Sequence, residues 1–258
     1  MILTVNIGNT HITLAGYERD ALQFSGRLHS DPAATIDEYA MHLLQLLRLH
    51  HALPEQIEGG ILASVVPGLT GRVLAALQML SSVRFLTVGP GLKSGIKLRL
   101  DNPAQLGAEL LCGAVAALDE GPAPMVIISA DTAISMMAIN ARQELVGGAI
   151  LPGPQLALRA LVQNTAQLPQ IDLSAPAPRS VLGKNTASCL QSGFVLGTAS
   201  QLDGLAARFC AELGQETRFF ATGSLPRTIR EACLTPIVYR ENLITDGLYR
   251  IWQRNRKG

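Results

Sequence analysis

The chain opens with short apolar runs punctuated by turn residues. Stretches 2–5, 11–15 and 23–28 read as three strands, separated by Gly8-Asn9 and by a polar turn, so an antiparallel meander is predicted. The period then changes. Thr35 with Glu38 three residues on makes a capping box, and Met41, Leu43, Leu44, Leu46 and Leu47 supply one apolar face of a helix to about Leu49. Strands and helices then alternate: a strand over 60–65, a helix over 69–80, a strand over 83–88, an extended piece over 95–100, and a helix from Pro103 to about Leu118. Such alternation predicts an α/β domain in which helices cover parallel strands.

The second half restarts the same programme. Residues 125–129 form an apolar strand ending in a tight polar turn, as 1–5 did, and a second strand follows each turn, over 11–15 and 133–139. Val5-Asn6-Ile7-Gly8-Asn9-Thr10 and Ile128-Ser129-Ala130-Asp131-Thr132 both pass from an apolar run through small or polar residues to a threonine, which reads as two copies of one unit. A strand over 145–151, a helical stretch over 187–213 broken near Gly193 and Gly197, a strand over 218–222, and helices over 226–232 and 245–254 complete the pattern. The lobe junction is expected at 119–124, giving lobes 1–119 and 120–258.

Composition narrows the field. With 258 residues, 48% hydrophobic and 16% charged, the chain is too apolar for disorder and long enough for one large or two modest domains. Lys and Arg number 21 against 20 Asp and Glu, so no global field points to nucleic acid or a membrane surface. Its apolar stretches fall short of the ~20 residues that span a bilayer, and the N-terminus lacks a basic region ahead of an apolar core, so neither a membrane segment nor a secretory signal is expected. Cys112, Cys189, Cys210 and Cys233 lie in apolar helical contexts with no C-x-x-C pair, and are expected as reduced, buried thiols. The five histidines show no ligand spacing, and His50-His51 should close a helix.

Candidate chemistry lies at the turns. A glycine turn after a strand lets backbone amides approach an anion, and Asn9, Thr10 and Thr13 add donors without negative charge, so the first turn is either a phosphate site or an ordinary hairpin. Gly147-Gly148-Ala149-Ile150-Leu151-Pro152-Gly153 demands close approach of a ligand or of a neighbouring strand. Ala221-Thr222-Gly223-Ser224 fits a turn against a flat ligand, or a plain strand end. Gly183-Lys184-Asn185-Thr186 lacks the first glycine of a P-loop.

Taken in order, Asn6 to Thr13, Ser64-Val65-Val66-Pro67, Asp101-Asn102-Pro103 with Gly107-Ala108, Gly147 to Gly153, Thr165-Ala166-Gln167-Leu168-Pro169, Gly183 to Thr186, Gln191-Ser192-Gly193 and Ala221-Thr222-Gly223 resemble the type III pantothenate kinases over nearly the whole chain. The resemblance implies a duplicated ribonuclease H-like (actin-like ATPase) α/β fold of two lobes, with a nucleotide cleft lined by 6–13 and Asp131-Thr132. It further implies a cytoplasmic dimer that transfers the ATP γ-phosphoryl group to pantothenate, the first step of coenzyme A synthesis, with Mg²⁺ and a monovalent cation, K⁺ or NH₄⁺. Asn6, Gly8, Asn9, Thr10, Thr13, Asp131, Thr132, Thr222 and Gly223 are the implied nucleotide contacts. Leu100, Gly107, Ala108, Leu110 and Thr186 fall where the substrate lies.

Where chemistry is concentrated, the chain departs from the family pattern. The metal-side aspartate is Asn6, which loses the charge that attracts Mg²⁺. Gly-Ala-Asp-Arg becomes Gly107-Ala108-Glu109-Leu110, so Glu109 is the candidate catalytic base with its carboxylate moved by about 1.5 Å, and the guanidinium is gone. The family's tyrosine is Leu100. The cation-side aspartate is Ser129, while Asp131 brings a carboxylate back two positions on, roughly 6.5 Å along the strand, either as a relocated metal ligand or as a like charge against the nucleotide. Three functions follow: a catalytically impaired, pseudokinase-like homologue acting as a subunit or regulator, an active pantothenate kinase using Glu109, or a kinase or binder of another small molecule. A homodimer is expected, partly through the helix over 103–118, as is a hetero-oligomer with an intact homologue.

Overall fold

The computed structural model describes residues 1–256, which form two compact units. The first comprises Met1–Ile96, Asp101–Asp119 and Asn242 onward; the second comprises Lys97–Leu100 and Glu120–Glu241. Neither unit is continuous in sequence. The chain does change unit at 119–120, yet 97–100 joins the second unit's sheet, and the last helix joins the first unit rather than the lobe 120–258 in which the sequence reading put it.

In the first unit, β1 (Ile2–Ile7), β2 (His11–Glu18), β3 (Ala21–His29), β4 (Gly59–Ser64) and β5 (Phe85–Thr87) form a sheet of order β3-β2-β1-β4-β5. β1 is antiparallel to β2 and parallel to β4, and all six of its residues are buried. Alternation along β1 sends Leu3, Val5 and Ile7 into the larger core with α1 (Ile36–Leu49) and α2 (Pro67–Leu80). It leaves Ile2, Thr4 and Asn6 on the opposite face, where Ile2 packs with Ala15, Tyr17, Tyr249 and Trp252. α1 starts as its sequence dictates, with Thr35 Oγ1 accepting from the Glu38 N–H while Glu38 accepts from the Thr35 N–H.

That second face is covered by α3 (Ala108–Ala117) and α7 (Leu243–Asn255). The Tyr17 and Tyr249 rings stack at 4.5 Å between centroids, and the Tyr17 hydroxyl donates to Asp246 at 2.6 Å, with burial and then the Asp246 charge holding the phenol protonated far above its ordinary range. Arg250 pairs with Asp119 at 2.7 Å. The helix expected over 103–118 is really a 3-10 turn, Pro103–Gln105, followed by α3, because Asn102 caps the turn and Gly107 separates it from the helix. Cys112 to Ala117 are buried inside the unit, so this half of the expected partner-facing surface is already spent on α7. Burial also pushes the Cys112 thiol far above its ordinary range.

The second unit repeats the topology. β7 (Met125–Ala130), β8 (Ala133–Ile139), β9 (Glu144–Pro152), β10 (Arg218–Gly223) and β11 (Ile237–Tyr239) take the order β11-β10-β7-β8-β9, the first unit's order read in reverse, and β6 (Lys97–Leu98) adds a sixth strand beyond β9. This is the duplication the two turns announced. α4 (Pro154–Gln163), α5 (Thr186–Leu213) and α6 (Arg227–Ala232) belong to the same unit. α5 is unbroken: Gly193 and Gly197 sit in its interior at a cost of roughly 1 kcal/mol each in propensity, which 28 residues of helix packed on the sheet absorb. The sequence reading passed over α4, although Pro154 behind Gly153 and the spacing of Leu158, Leu161 and Val162 mark it. Of the cysteines expected to be buried, only Cys112 is; Cys189 is exposed and Cys210 and Cys233 are half-buried, burial raising the Cys233 thiol to about 12.

β6 is fastened to β9 by Arg99, whose guanidinium reaches Glu144 at 3.1 Å, while Asn140 donates to the other carboxylate oxygen at 3.2 Å. The Asn140 bond and then Arg99 hold the Glu144 carboxyl below its ordinary range. A depressed folded-state pKa gives stability that is present above the ordinary carboxylate pKa and lost as pH falls through the folded value. Glu144→Gln is therefore expected to lower Tm at neutral pH and to flatten the fall of Tm below about pH 4.5; an unchanged acid limb in thermal melts would remove this contact from the account.

Candidate active site

The first turn is built at the open end of β1. Gly8 donates its N–H to the His11 carbonyl at 2.9 Å, closing a hairpin over Asn9 and Thr10. Ser30, far along the chain, donates from its hydroxyl to the Gly8 carbonyl at 2.7 Å and from its N–H to the Thr10 carbonyl at 3.0 Å. Two bonds from one buried residue brace the turn. Asn9 is exposed and Thr10 and Thr13 are half-exposed, so the donors expected at a phosphate are accessible. No sequence signal marked Ser30, because a brace supplied across a sheet has no local period.

Asn6 lies on the same face of β1 as Ile2 and Thr4, in register with Thr13 on one side and Ala63 on the other. Its Nδ2 donates to Glu109 Oε1 at 2.9 Å, joining residues 103 apart. The residue is 6% exposed, and its Oδ1 has no hydrogen-bond partner. An unsatisfied buried acceptor costs about 1–3 kcal/mol, so this oxygen suits a donor that arrives with a ligand. Glu109 sits in the first turn of α3, behind Gly107, where helix amides favour an anion. The Ser64-Val65-Val66-Pro67 segment adjoins: the Val65 N–H bonds the Ile7 carbonyl at 3.0 Å, and a side chain added at Gly107 would touch Val65 and Leu110. The first unit thus gathers Asn6, Gly8, Thr10, Thr13, Gly107, Glu109 and Leu110 around the end of β1.

The second unit gathers its own set. Ser129 is in register with Thr222 on β10 and with Ser135 on β8, the place Asn6 holds in the first sheet. Asp131 donates its N–H to the Ala133 carbonyl and Thr132 accepts from the Gly153 N–H, both at 2.9 Å. Gly153 and Gly223 are glycines for contact reasons: a Cβ on Gly153 would lie 2.5 Å from the Asp131 carbonyl, and one on Gly223, whose φ is +86°, would lie 2.1 Å from that of Ala130. Tyr239 donates to the Gly223 carbonyl at 2.8 Å and Thr222 to that of Glu241 at 3.3 Å. Tyr239 was invisible in the sequence, since β11 is only three residues long. For Gly148 the strand-packing reading holds, with Met136 backbone oxygen 2.2 Å from its would-be Cβ, and Gly147 at φ +151° marks a bulge opposite Ala138.

Two further predicted substrate residues lie in the second unit. Leu100 follows β6, three strands away from β7, and Thr186 is exposed at the first position of α5, behind the Asn185 cap. Among the described residues no group of three or more His, Cys, Asp or Glu side chains could hold a metal ion. Mg²⁺, which keeps waters and takes one or two protein oxygens beside phosphates, fits the orphaned Asn6 Oδ1. Among the described residues no helix is long and apolar enough to cross a membrane.

A family model described as type III pantothenate kinase matches residues 2–208. A type III pantothenate kinase of an Exiguobacterium species is 37% identical over 257 residues, covering 100% of both chains, and that of Exiguobacterium sibiricum is 36% identical over 256 residues, covering 99% of this chain and 100% of the other. Among solved structures, a conserved protein assigned to the Baf family of transcriptional activators from Campylobacter jejuni superimposes with a TM-score of 0.60 at 16% identity, over 98% of each chain. Component A of the (R)-2-hydroxyglutaryl-CoA dehydratase of Acidaminococcus fermentans does so with a TM-score of 0.57 at 12% identity, over 96% of this chain and 94% of the other. Similarity at that level speaks for the fold, the duplicated actin-like ATPase fold.

Proposed function

The chain belongs to the type III pantothenate kinase family, and from that premise we propose that it transfers phosphoryl groups from ATP to pantothenate only slowly by itself and serves as a subunit or regulator beside an intact homologue. One observation carries the reading: a neutral, buried amide at Asn6, bonded to Glu109, stands where the family resemblance implies a carboxylate. Mg²⁺ on the nucleotide would neutralise charge developing between the β- and γ-phosphates, and a neutral Asn6 Oδ1 attracts it less than an anion does. Leu110, half-exposed in α3, offers no guanidinium to the substrate. Losing one preorganised charged contact typically costs 10²–10³ in rate. Binding is supported by what remains: the braced amides of the first turn with Thr10 and Thr13, and, in the second unit, Thr132, Thr222 and Gly223.

Steady-state assays with ATP, Mg²⁺ and pantothenate are expected to give a kcat at least about 100-fold below the 1–100 s⁻¹ of ordinary kinases. A kcat within about tenfold of that range overturns the impaired reading. It would favour the second reading, an active kinase with Glu109 as general base, which the fixed position of that carboxylate supports. Affinity purification from the native cell is expected to recover a homologue carrying both missing carboxylates; recovery of this chain alone would remove the hetero-oligomer. A homodimer is expected by light scattering.

A further inference from the structure

Asn6 and Glu109 are 103 residues apart, yet each fits the other in a way neither position explains alone. β1 is pinned on both sides, by β2 and β4, so the Asn6 backbone cannot shift and its short side chain has little choice of direction. With Nδ2 on Glu109 Oε1 at 2.9 Å, the amide orientation is determined by chemistry, since the flipped amide would set two acceptor oxygens against each other at that distance. An aspartate at position 6 would do the same with two charges in a place that is 6% exposed. Conversely, an ionised acid at 109 that reaches β1 is stabilised by a donor there. The two departures from the family pattern are therefore one exchange.

We propose that Asn6 is the positioning residue of Glu109, the amide holding the carboxylate at the end of β1, so that restoring an acid at position 6 alone harms the protein instead of repairing it. The kinetic half of this proposal rests on the kinase reading above; the structural half does not.

The test is a four-member cycle on the purified full chain: wild type, Asn6→Asp, Glu109→Gln and the double variant. Asn6→Asp is expected to lower Tm by about 5 °C and Glu109→Gln by no more than about 2 °C. The double variant should return to within about 2 °C of wild type, because the amide introduced at 109 can donate to the carboxylate introduced at 6. An Asn6→Asp protein as stable as wild type, or a double variant no more stable than Asn6→Asp, overturns the contact. For the kinetic half, Asn6→Ala is expected to cut the residual kcat about tenfold with the KM for pantothenate unchanged, and Asn6→Ser, which keeps a donor, to recover part of it. An unchanged kcat in Asn6→Ala, or a wild-type chain without turnover, overturns that half while the four melting temperatures still decide the contact.

Discussion

Pantothenate phosphorylation is expected to rise about 10³-fold when Asn6→Asp, Glu109→Asp, Leu110→Arg, Ser129→Asp and Asp131→Gly are introduced together. Three of the changes introduce a charged group, Glu109→Asp shortens an existing carboxylate, and Asp131→Gly removes a like charge facing the nucleotide. The pair at 6 and 109 must be changed at once, because a shortened acid at 109 withdraws as the acid at 6 appears, whereas either alone leaves two carboxylates or a gap at a contact now 2.9 Å long. Leu110 is half-exposed in the first turn of α3, so an arginine can extend from it without entering the core. Ser129 is half-exposed at the end of β7, and Asp131 sits in a turn whose main-chain bonds a glycine can keep. The gain should be strongly non-additive, with no single reversion giving more than a small part of it. The measurement is kcat with ATP and pantothenate, beside a thermal melt. A variant that melts within about 5 °C of the parent and still shows no gain would mean that the pocket has been rebuilt for another substrate.

Gly247→Ala is expected to destabilise the first unit by about 3 kcal/mol or more, lowering Tm by at least about 6 °C. A Cβ at Gly247 would lie 1.8 Å from the Cys112 carbonyl oxygen and 2.5 Å from its carbon, so the clash is with backbone and no rotamer relieves it. α7 would have to lift from α3, and with it the Tyr17–Tyr249 stack and the Tyr17–Asp246 hydrogen bond that fasten α7 to the sheet. α3 carries Glu109, so residual turnover should fall as well. Gly197→Ala is the control. That glycine is also inside a helix, α5, but nothing lies within 4 Å of its would-be Cβ, and the better helix former should leave stability unchanged or raise it by up to about 1 kcal/mol. Equal melting temperatures for the two variants would refute close α3–α7 packing as the reason for Gly247.

The duplicated strand-turn-strand core of the two sheets was legible in the sequence alone. Strand-turn-strand punctuation recurring at 5–10 and 128–132, then alternating helices, led to two copies of one unit, and the two sheets repeat β3-β2-β1-β4-β5 as β9-β8-β7-β10-β11. Local signals were enough there, because period, capping and turn chemistry act over a few residues: Thr35 and Glu38 do start α1. The order of short motifs also sufficed to single out Asn6, Glu109 and Leu110 as departures. What needed the tertiary structure was everything decided by neighbours far along the chain. That α5 runs unbroken through Gly193 and Gly197 is a matter of packing overriding propensity. That Ser30 braces the first turn and Tyr239 the second depends on which strands lie side by side. That the last helix returns to the first unit, with Gly247 against the Cys112 backbone, is a contact between residues far apart in the chain. And that Asn6 and Glu109 touch follows from strand parity on β1 and the placement of α3 over that face, so two substitutions that read as separate losses in the sequence are a single hydrogen bond in the folded chain.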